Sequence, residues 1–240
     1  MIIDANRMHF QALNSLVRSS EDPEIQIANC LGQRYIASGL CGRTITVSGT
    51  PGNALGAYLD GGTIRVLGNA QDATGDTMND GRIFIHGSSG DATGYAMRGG
   101  RIYVEHSVGY RAGIHMKAYQ DRVPVLMIGG RAGSFLGEYQ AGGLIVVLDL
   151  DREPGSFSPN FCATGMHGGK IILRRETAPE GLPPQVTARE MTDADLREME
   201  PCLEEFCAEF GRDKASILDH PFFVLEPDTK NPYKQLYTHN

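Results

Sequence analysis

Asn53, Asp72 and Asp91 fall at a constant interval of 19 residues, and acidic side chains at a fixed interval are where chemistry would first be sought in this sequence. If the interval is one structural repeat, the two carboxylates stand at strand spacing and repel unless a cation, a shared proton or backbone donors intervene. The column is therefore a candidate cation site, or an acid pair of the kind that cleaves glycosides. The structural alternative, which the neighbouring residues favour, is that Asn and Asp beside glycine hold turns through bonds to nearby backbone amides. Other reactive types are scattered. His9, His86, His106, His115, His167, His220 and His239 show no HxxxH or HExxH spacing, and surface or hydrogen-bonded roles are expected for them. Cys30, Cys41, Cys162, Cys202 and Cys207 contain no CxxC pair for zinc or an iron–sulfur cluster and read as buried thiols in a reducing compartment. An N-terminal-nucleophile amidotransferase needs cysteine at its start, whereas residue 2 is Ile2. The stretch GTPGNALG from Gly49 lacks the Lys-Ser/Thr ending of a phosphate loop. The expectation is that no catalytic, cofactor-binding or metal-binding residue lies in this chain.

The interval of 19 extends well beyond the acids. Four segments align without gaps: GRTITVSGTPGNALGAYLD from Gly42, GGTIRVLGNAQDATGDTMN from Gly61, DGRIFIHGSSGDATGYAMR from Asp80 and GGRIYVEHSVGYRAGIHMK from Gly99. Ile45, Ile64, Ile83 and Ile102 form one column, and Val47, Val66, Ile85 and Val104 form another two residues on, which is strand periodicity. Gly56, Gly75, Gly94 and Gly113 form a corner column, followed by Leu59, Met78, Met97 and Met116. A corner repeated each turn needs φ > 0 or close backbone approach, and glycine supplies both. One strand per segment cannot bury its apolar face alone, so the segments stack, roughly 4.8 Å apart, with parallel pairing. His106 stands where Gly49, Gly68 and Gly87 lead one to expect glycine, so the corner there is expected to differ.

The predicted architecture is an all-β, right-handed, single-stranded parallel β-helix of about seven turns with a 19-residue repeat. No six-residue sub-period suggests the left-handed form, and the GGxGxDxUx calcium roll is absent. Later turns are expected at Val125–Gly130, Gly142–Leu148 and Gly168–Leu173, and an earlier one near Ile25–Ile27. Residues 1–41 are expected to hold a capping helix over Asp4–Arg18 and a leading segment, 42–176 the repeats, and 177–240 a Pro-rich linker and a helical tail. In the tail, Thr192 precedes Leu196, Met199, Leu203, Phe206 and Phe210 at helical spacing, and Gly211 stops the run. Phe84 and Tyr103, flanked by Arg82 and Arg101, lie between the inward columns. As outward aromatic and arginine side chains they mark a candidate partner face; a stabilising ladder, or a tail helix laid over them, is the alternative.

Bulk properties narrow the class. A formal charge of −7 and 22 Lys plus Arg in 240 residues argue against nucleic acid as a partner. No stretch approaches about 18 consecutive apolar residues and the start lacks a signal-peptide pattern, so a cytoplasmic protein without membrane contact is expected.

On the segment GQRYIASGLCGRTITVSG from Gly32, the four aligned turns, GGLIVVL, and NFCATGMHGGKIIL from Asn160, the sequence resembles the GXGXG domain, the C-terminal β-helix of the large subunit of glutamate synthase, in its stand-alone form. EFCAEFG from Glu205 and NPYKQLY from Asn231 are also similar to the separate-subunit versions. The resemblance implies a non-catalytic scaffold beside a glutamine amidotransferase subunit and a flavin-containing synthase subunit, with FMN and iron–sulfur clusters on those partners and none on this chain. A homo-oligomer stays open. A related β-helix belongs to formylmethanofuran dehydrogenase, which implies a second complex, and a β-helix polysaccharide lyase or hydrolase is the enzymatic alternative.

Overall fold

The computed structural model describes residues 1–150 and 159–228. The NPYKQLY segment and His239 lie outside the described residues.

β-branched residues two apart, bounded by glycine, make short strands that are buried on one face, and their stacking builds the sheet. In chain order the elements are β1 (Ile2–Asp4), α1 (Phe10–Ser19), β2 (Glu24–Leu31), β3 (Thr44–Thr50), β4 (Asp60–Val66), β5 (Asp80–Ile85) and β6 (Arg101–Val104). There follow β7 (Val125–Ile128), β8 (Ala141–Val147), β9 (Gly168–Arg174), β10 (Val186–Glu190), α2 (Asp193–Phe210), α3 (Lys214–Leu218) and β11 (Phe222–Pro227). The eleven strands among the described residues join one sheet in the order β1 to β9, then β11, then β10. β1 to β9 pair in parallel. β11 and β10 add antiparallel strands at one end. The sheet ends at β1 and β10 and does not close on itself.

Register follows the repeat. Ile25, Ile45, Ile64, Ile83, Ile102, Leu126, Ile145 and Ile171 are successive partners across β2 to β9. Ile27, Val47, Val66, Ile85, Val104, Ile128, Val147 and Leu173 form the second row. Both rows are buried in one continuous core that also takes in Leu59, Met78, Met97 and Met116. A second cluster lies on the other face, where Tyr103, Met127, Val146 and Ile172 meet Met199, Leu203 and Phe206 of α2.

Several expectations change. The possible earlier turn near Ile25–Ile27 is the strand β2, so the two inner rows run over eight parallel strands, β2 to β9. Ile2–Asp4 is a strand, and the N-terminal helix starts at Phe10 with His9 as its cap. The region after residue 177 is more than a linker and helices, because β10 and β11 extend the sheet. That addition covers the open edge that β9 would otherwise present. α2 itself begins with a reciprocal capping box between Thr192 and Asp195 and ends at Gly211 in the left-handed conformation.

Candidate functional site

Between strands, each segment turns through residues of alternating hand. In one segment Ala54, Gly56 and Tyr58 have φ of 61°, 65° and 57°, and the next repeats this with Ala73, Gly75 and Thr77. The N–H groups of Ala54 and Tyr58 donate forward to Asp72 and Asp76, and that of Gly56 donates back to Ile36. The corners are thus laddered to both neighbours, as the strands are.

This geometry revises why the corner column is glycine. Positive φ is shared with alanine, threonine and tyrosine two residues away, so it does not by itself demand glycine. What sets the glycine apart is the core beneath it: a Cβ on Gly75 would stand 2.3 Å from Ile102 Cδ1, and one on Gly113 would stand 2.4 Å from Ile145 Cδ1. At Gly56 the intruding atom is Ile83 Cδ1 at 2.7 Å, and at Gly94 it is the more yielding Met97 Sδ at 3.0 Å. In the final segment the equivalent residue is Ala163, with φ of 58°.

The acidic column serves the backbone. Asp72 Oδ1 accepts the Asp91 N–H at 2.9 Å, and Asp91 Oδ1 accepts the Tyr110 N–H at 2.8 Å. Each carboxylate is exposed, and each reaches the next segment because glycine follows there: a Cβ on Gly90 or Gly109 would collide with Asp72 or Asp91. The cation and acid-pair readings lose their basis, because the repulsion they were to relieve is met by amide donors. Among the described residues no group of three or more His, Cys, Asp or Glu side chains is placed to hold a metal ion. At His106, where the corner was expected to differ, the N–H bonds to the Gly87 carbonyl and the carbonyl accepts from Gly130.

The proposed partner face of Arg82, Phe84, Arg101 and Tyr103 is occupied by α2. Phe84 and Tyr103 are stacked at 5.0 Å between ring centroids and are buried. Phe210 meets Phe84 edge-on at 6.4 Å. Glu205 of α2 receives Arg82 through two bonds of 2.9 and 3.1 Å, Arg101 at 2.5 Å and the Tyr103 hydroxyl at 2.9 Å. One helical turn on, Glu209 takes Arg65 at 2.8 Å and His86 at 3.1 Å. Burial pushes the Glu205 carboxyl up, but the bonds from Arg82 and Tyr103 and the nearby Arg101 charge outweigh it and leave its pKa below the usual value. The outward aromatics are thus a seam inside the chain, not an open surface.

An exposed aromatic surface does exist, at the corners, where none was read from the sequence. His115 stacks on Tyr139 at 5.2 Å and meets Tyr95 edge-on at 5.9 Å. Phe135 stacks on Phe161 at 4.9 Å, with the Arg111 guanidinium 5.2 Å above Phe135. Phe161 is 63% exposed. The missed signal is the left-handed position itself: residues two before and two after each glycine project from the corner. The methionine column also hides a polar residue, because Gln140 follows Met116 there after an insertion. It is fully buried, and its Nε2 bonds to the carbonyls of Gly142, Gly143 and Lys170. Cys41 is exposed, against the expectation of five buried thiols. Among the described residues no helix is long and apolar enough to cross a membrane.

Known proteins resemble the chain along nearly its whole length. It is 44% identical over 251 aligned residues to an uncharacterized protein of Methanocaldococcus jannaschii, spanning 99% of this chain and 96% of that protein. Its fold is similar to that of a chain in the formyltransferase/hydrolase complex of Methylorubrum extorquens, solved with methylofuran. There the TM-score is 0.65 at 20% identity, over 94% of this chain and 90% of the other. The GXGXG motif family matches residues 21–224, a span holding the eight stacked strands β2 to β9, their left-handed corners and α2, and the chain belongs to that family.

Proposed function

We propose that the chain is a non-catalytic structural subunit of a glutamate synthase-like assembly. A glutamine amidotransferase partner would release ammonia, and a flavin-containing partner, with FMN and iron–sulfur clusters, would form glutamate. The observation that carries this reading is the extent of the family match, residues 21–224 of 240, so that one stacked module accounts for nearly all of the chain. We read each segment as one turn of a right-handed parallel β-helix, because hydrogen bonds join neighbouring segments at both strand and corner. Such a rod offers partners a stiff surface of fixed length. The reading places the protein in the cytoplasm and its partner contact on the corner face, where Tyr139, Phe161 and Arg111 combine large area with few donors to satisfy.

A second reading, a scaffold in a formylmethanofuran dehydrogenase-like complex, is favoured by the fold likeness to the formyltransferase/hydrolase complex chain. Affinity purification from the native host separates the two. Co-purification of an amidotransferase and a flavin subunit supports the first, and formyltransferase/hydrolase or molybdopterin subunits support the second. A chain that purifies alone, or that carries its own stoichiometric flavin, overturns both. In the assembled case, Tyr139→Ser with Phe161→Ser is expected to lower the yield of partners while leaving the melting temperature of the chain nearly unchanged.

A further inference from the structure

The described chain leaves the sheet beside a groove. β11 runs antiparallel to β9 and ends at Pro227, and Glu226 and Pro227 line an open cavity of about 520 Å3 at the start of β8 and β9. Its floor is bare backbone, since Gly142 and Gly143 of β8 and Gly168 and Gly169 of β9 carry no side chain. The neighbouring segment imposes this: a Cβ on Gly168 would stand 2.3 Å from the Ala141 carbonyl oxygen, and one on Gly142 2.8 Å from the Ala118 nitrogen. Ala118 and Val123, from the insertion between β6 and β7, form the far wall, and Val123 is 51% exposed.

The charges on the rim do not balance. Lys170 meets Asp195, Glu198 and Glu226 at 2.9, 2.7 and 3.8 Å, and Arg189 meets Asp195 and Glu226 at 2.6 and 3.0 Å. Two cations thus face three carboxylates, and Glu198, on the α2 side of the groove, is nearly half exposed. Twelve residues, 229–240, follow Asp228 and lie outside the described residues. They hold Lys230 and Lys234 and no Asp or Glu, together with Tyr233, Leu236 and Tyr237. At about 3.3 Å per extended residue that length reaches about 40 Å. From β9 back to β7 is two strand steps, about 10 Å, so the whole groove lies within reach of the first half of the segment.

We propose that this groove is the seat of the chain's own residues 229–240, with Tyr233 and Tyr237 on the glycine floor and Lys230 and Lys234 toward Glu198. The segment is rooted at the groove's edge, carries the charge that the rim lacks, and supplies flat rings to a floor without side chains. Tethering favours it over a segment of another molecule, because a segment joined to the rim is presented at an effective concentration on the order of millimolar. The clasp forms within one chain, needs no partner subunit, and ties the end of the sheet to the insertion between β6 and β7.

The test is disulfide capture in the full chain carrying Cys41→Ser, which removes the exposed thiol. Gln235→Cys is combined either with Val123→Cys in the groove wall or, as the control, with Thr187→Cys, an exposed position on β10 opposite Glu226 and close to the root of the segment. In glutathione disulfide under native conditions, the pair at 123 and 235 is expected to close within one chain roughly tenfold faster, or more, than the pair at 187 and 235. Adding Tyr233→Ser and Tyr237→Ser should erase that preference. Equal closure, faster closure at 187, or a preference that survives the loss of both tyrosines overturns the proposal. Closure between two chains, recognised by its dependence on protein concentration, assigns the groove to the segment of a second copy and overturns it as well.

Discussion

The Tyr103 hydroxyl donates to Glu205 Oε2 at 2.9 Å across the seam between β6 and α2, so a residue of the repeat and a residue of the tail share one hydrogen-bond network. Arg82 and Arg101 complete it. Glu205→Gln is expected to cost about 1–3 kcal/mol in urea unfolding at pH 7, a range held down because Arg82 is half exposed. The sign of the pH dependence follows from a carboxyl whose folded pKa is lowered. Its stabilisation is complete above the unfolded value, about 4.3, and is lost as pH falls through the folded value. The gap between native and variant stability should therefore narrow below about pH 4.3. A gap independent of pH between 7 and 3 would show that the charge on Glu205 contributes nothing.

Phe84 and Tyr103 lie under α2, so their truncation should act on folding rather than on association. Phe84→Ala is expected to cost about 3–5 kcal/mol, by lost transfer energy and by the cavity left against Phe210 and Arg65. A loss below about 1 kcal/mol would mean that the helix leaves the sheet readily and that these rings are available to a partner.

The inner rows of the core were legible because four segments keep one length, so Ile45, Ile64, Ile83 and Ile102 align by counting, and the observed partners are those same residues. Insertions then change the count, and Gln140 drops into the methionine column where counting 19 on from Met116 places Phe135. The strands β10 and β11 belong to no repeat. They pair antiparallel through residues that a Pro-rich stretch made look like a tail. The amphipathic stripe of α2 was evident, but a stripe says only that a helix is covered on one side and not which strands cover it. Glu205 and Glu209 are four residues apart on α2, a spacing equally fit for a solvated face, and only the fold sets them against Arg82, Arg101, Arg65 and His86. The aromatic corner face was missed for a related reason: in a run of alternating hand, periodicity of neither strand nor helix predicts which side chains project.

Thiol reactivity should report the difference among the cysteines. Burial pushes Cys30 up to about 11 and Cys162 up to about 12, and it raises Cys202 and Cys207 as well. Cys41 is the exposed one. Since the thiolate is the nucleophile, a disulfide reagent at pH 8 is expected to titrate one thiol quickly in the native chain and all five after unfolding. Cys41→Ser should remove the fast phase. A second fast thiol that maps to Cys202 or Cys207 would show α2 lifting from the sheet under native conditions.

The corner glycines allow the sharpest test, because the structure separates two causes that sequence alone merges. If backbone hand alone mattered, Gly75→Ala would resemble the alanine already present at Ala73, whose φ is 55°. The Cβ contact of 2.3 Å with Ile102 Cδ1 predicts otherwise. Gly75→Ala is expected to cost about 2–4 kcal/mol, combining overpacking with left-handed strain. Ala73→Gly should stay within about 1 kcal/mol, since relief of strain and greater freedom of the unfolded chain oppose one another. Ile102→Val removes the colliding methyl, so the double variant Gly75→Ala with Ile102→Val should be more stable than the sum of the two single losses allows, a coupling measurable by a double-mutant cycle in urea. Gly94→Ala should be milder than Gly75→Ala, because its nearest neighbour is the flexible thioether of Met97 at 3.0 Å. Equal losses at Gly75 and Gly94, together with strict additivity between residues 75 and 102, would return the explanation to backbone conformation alone.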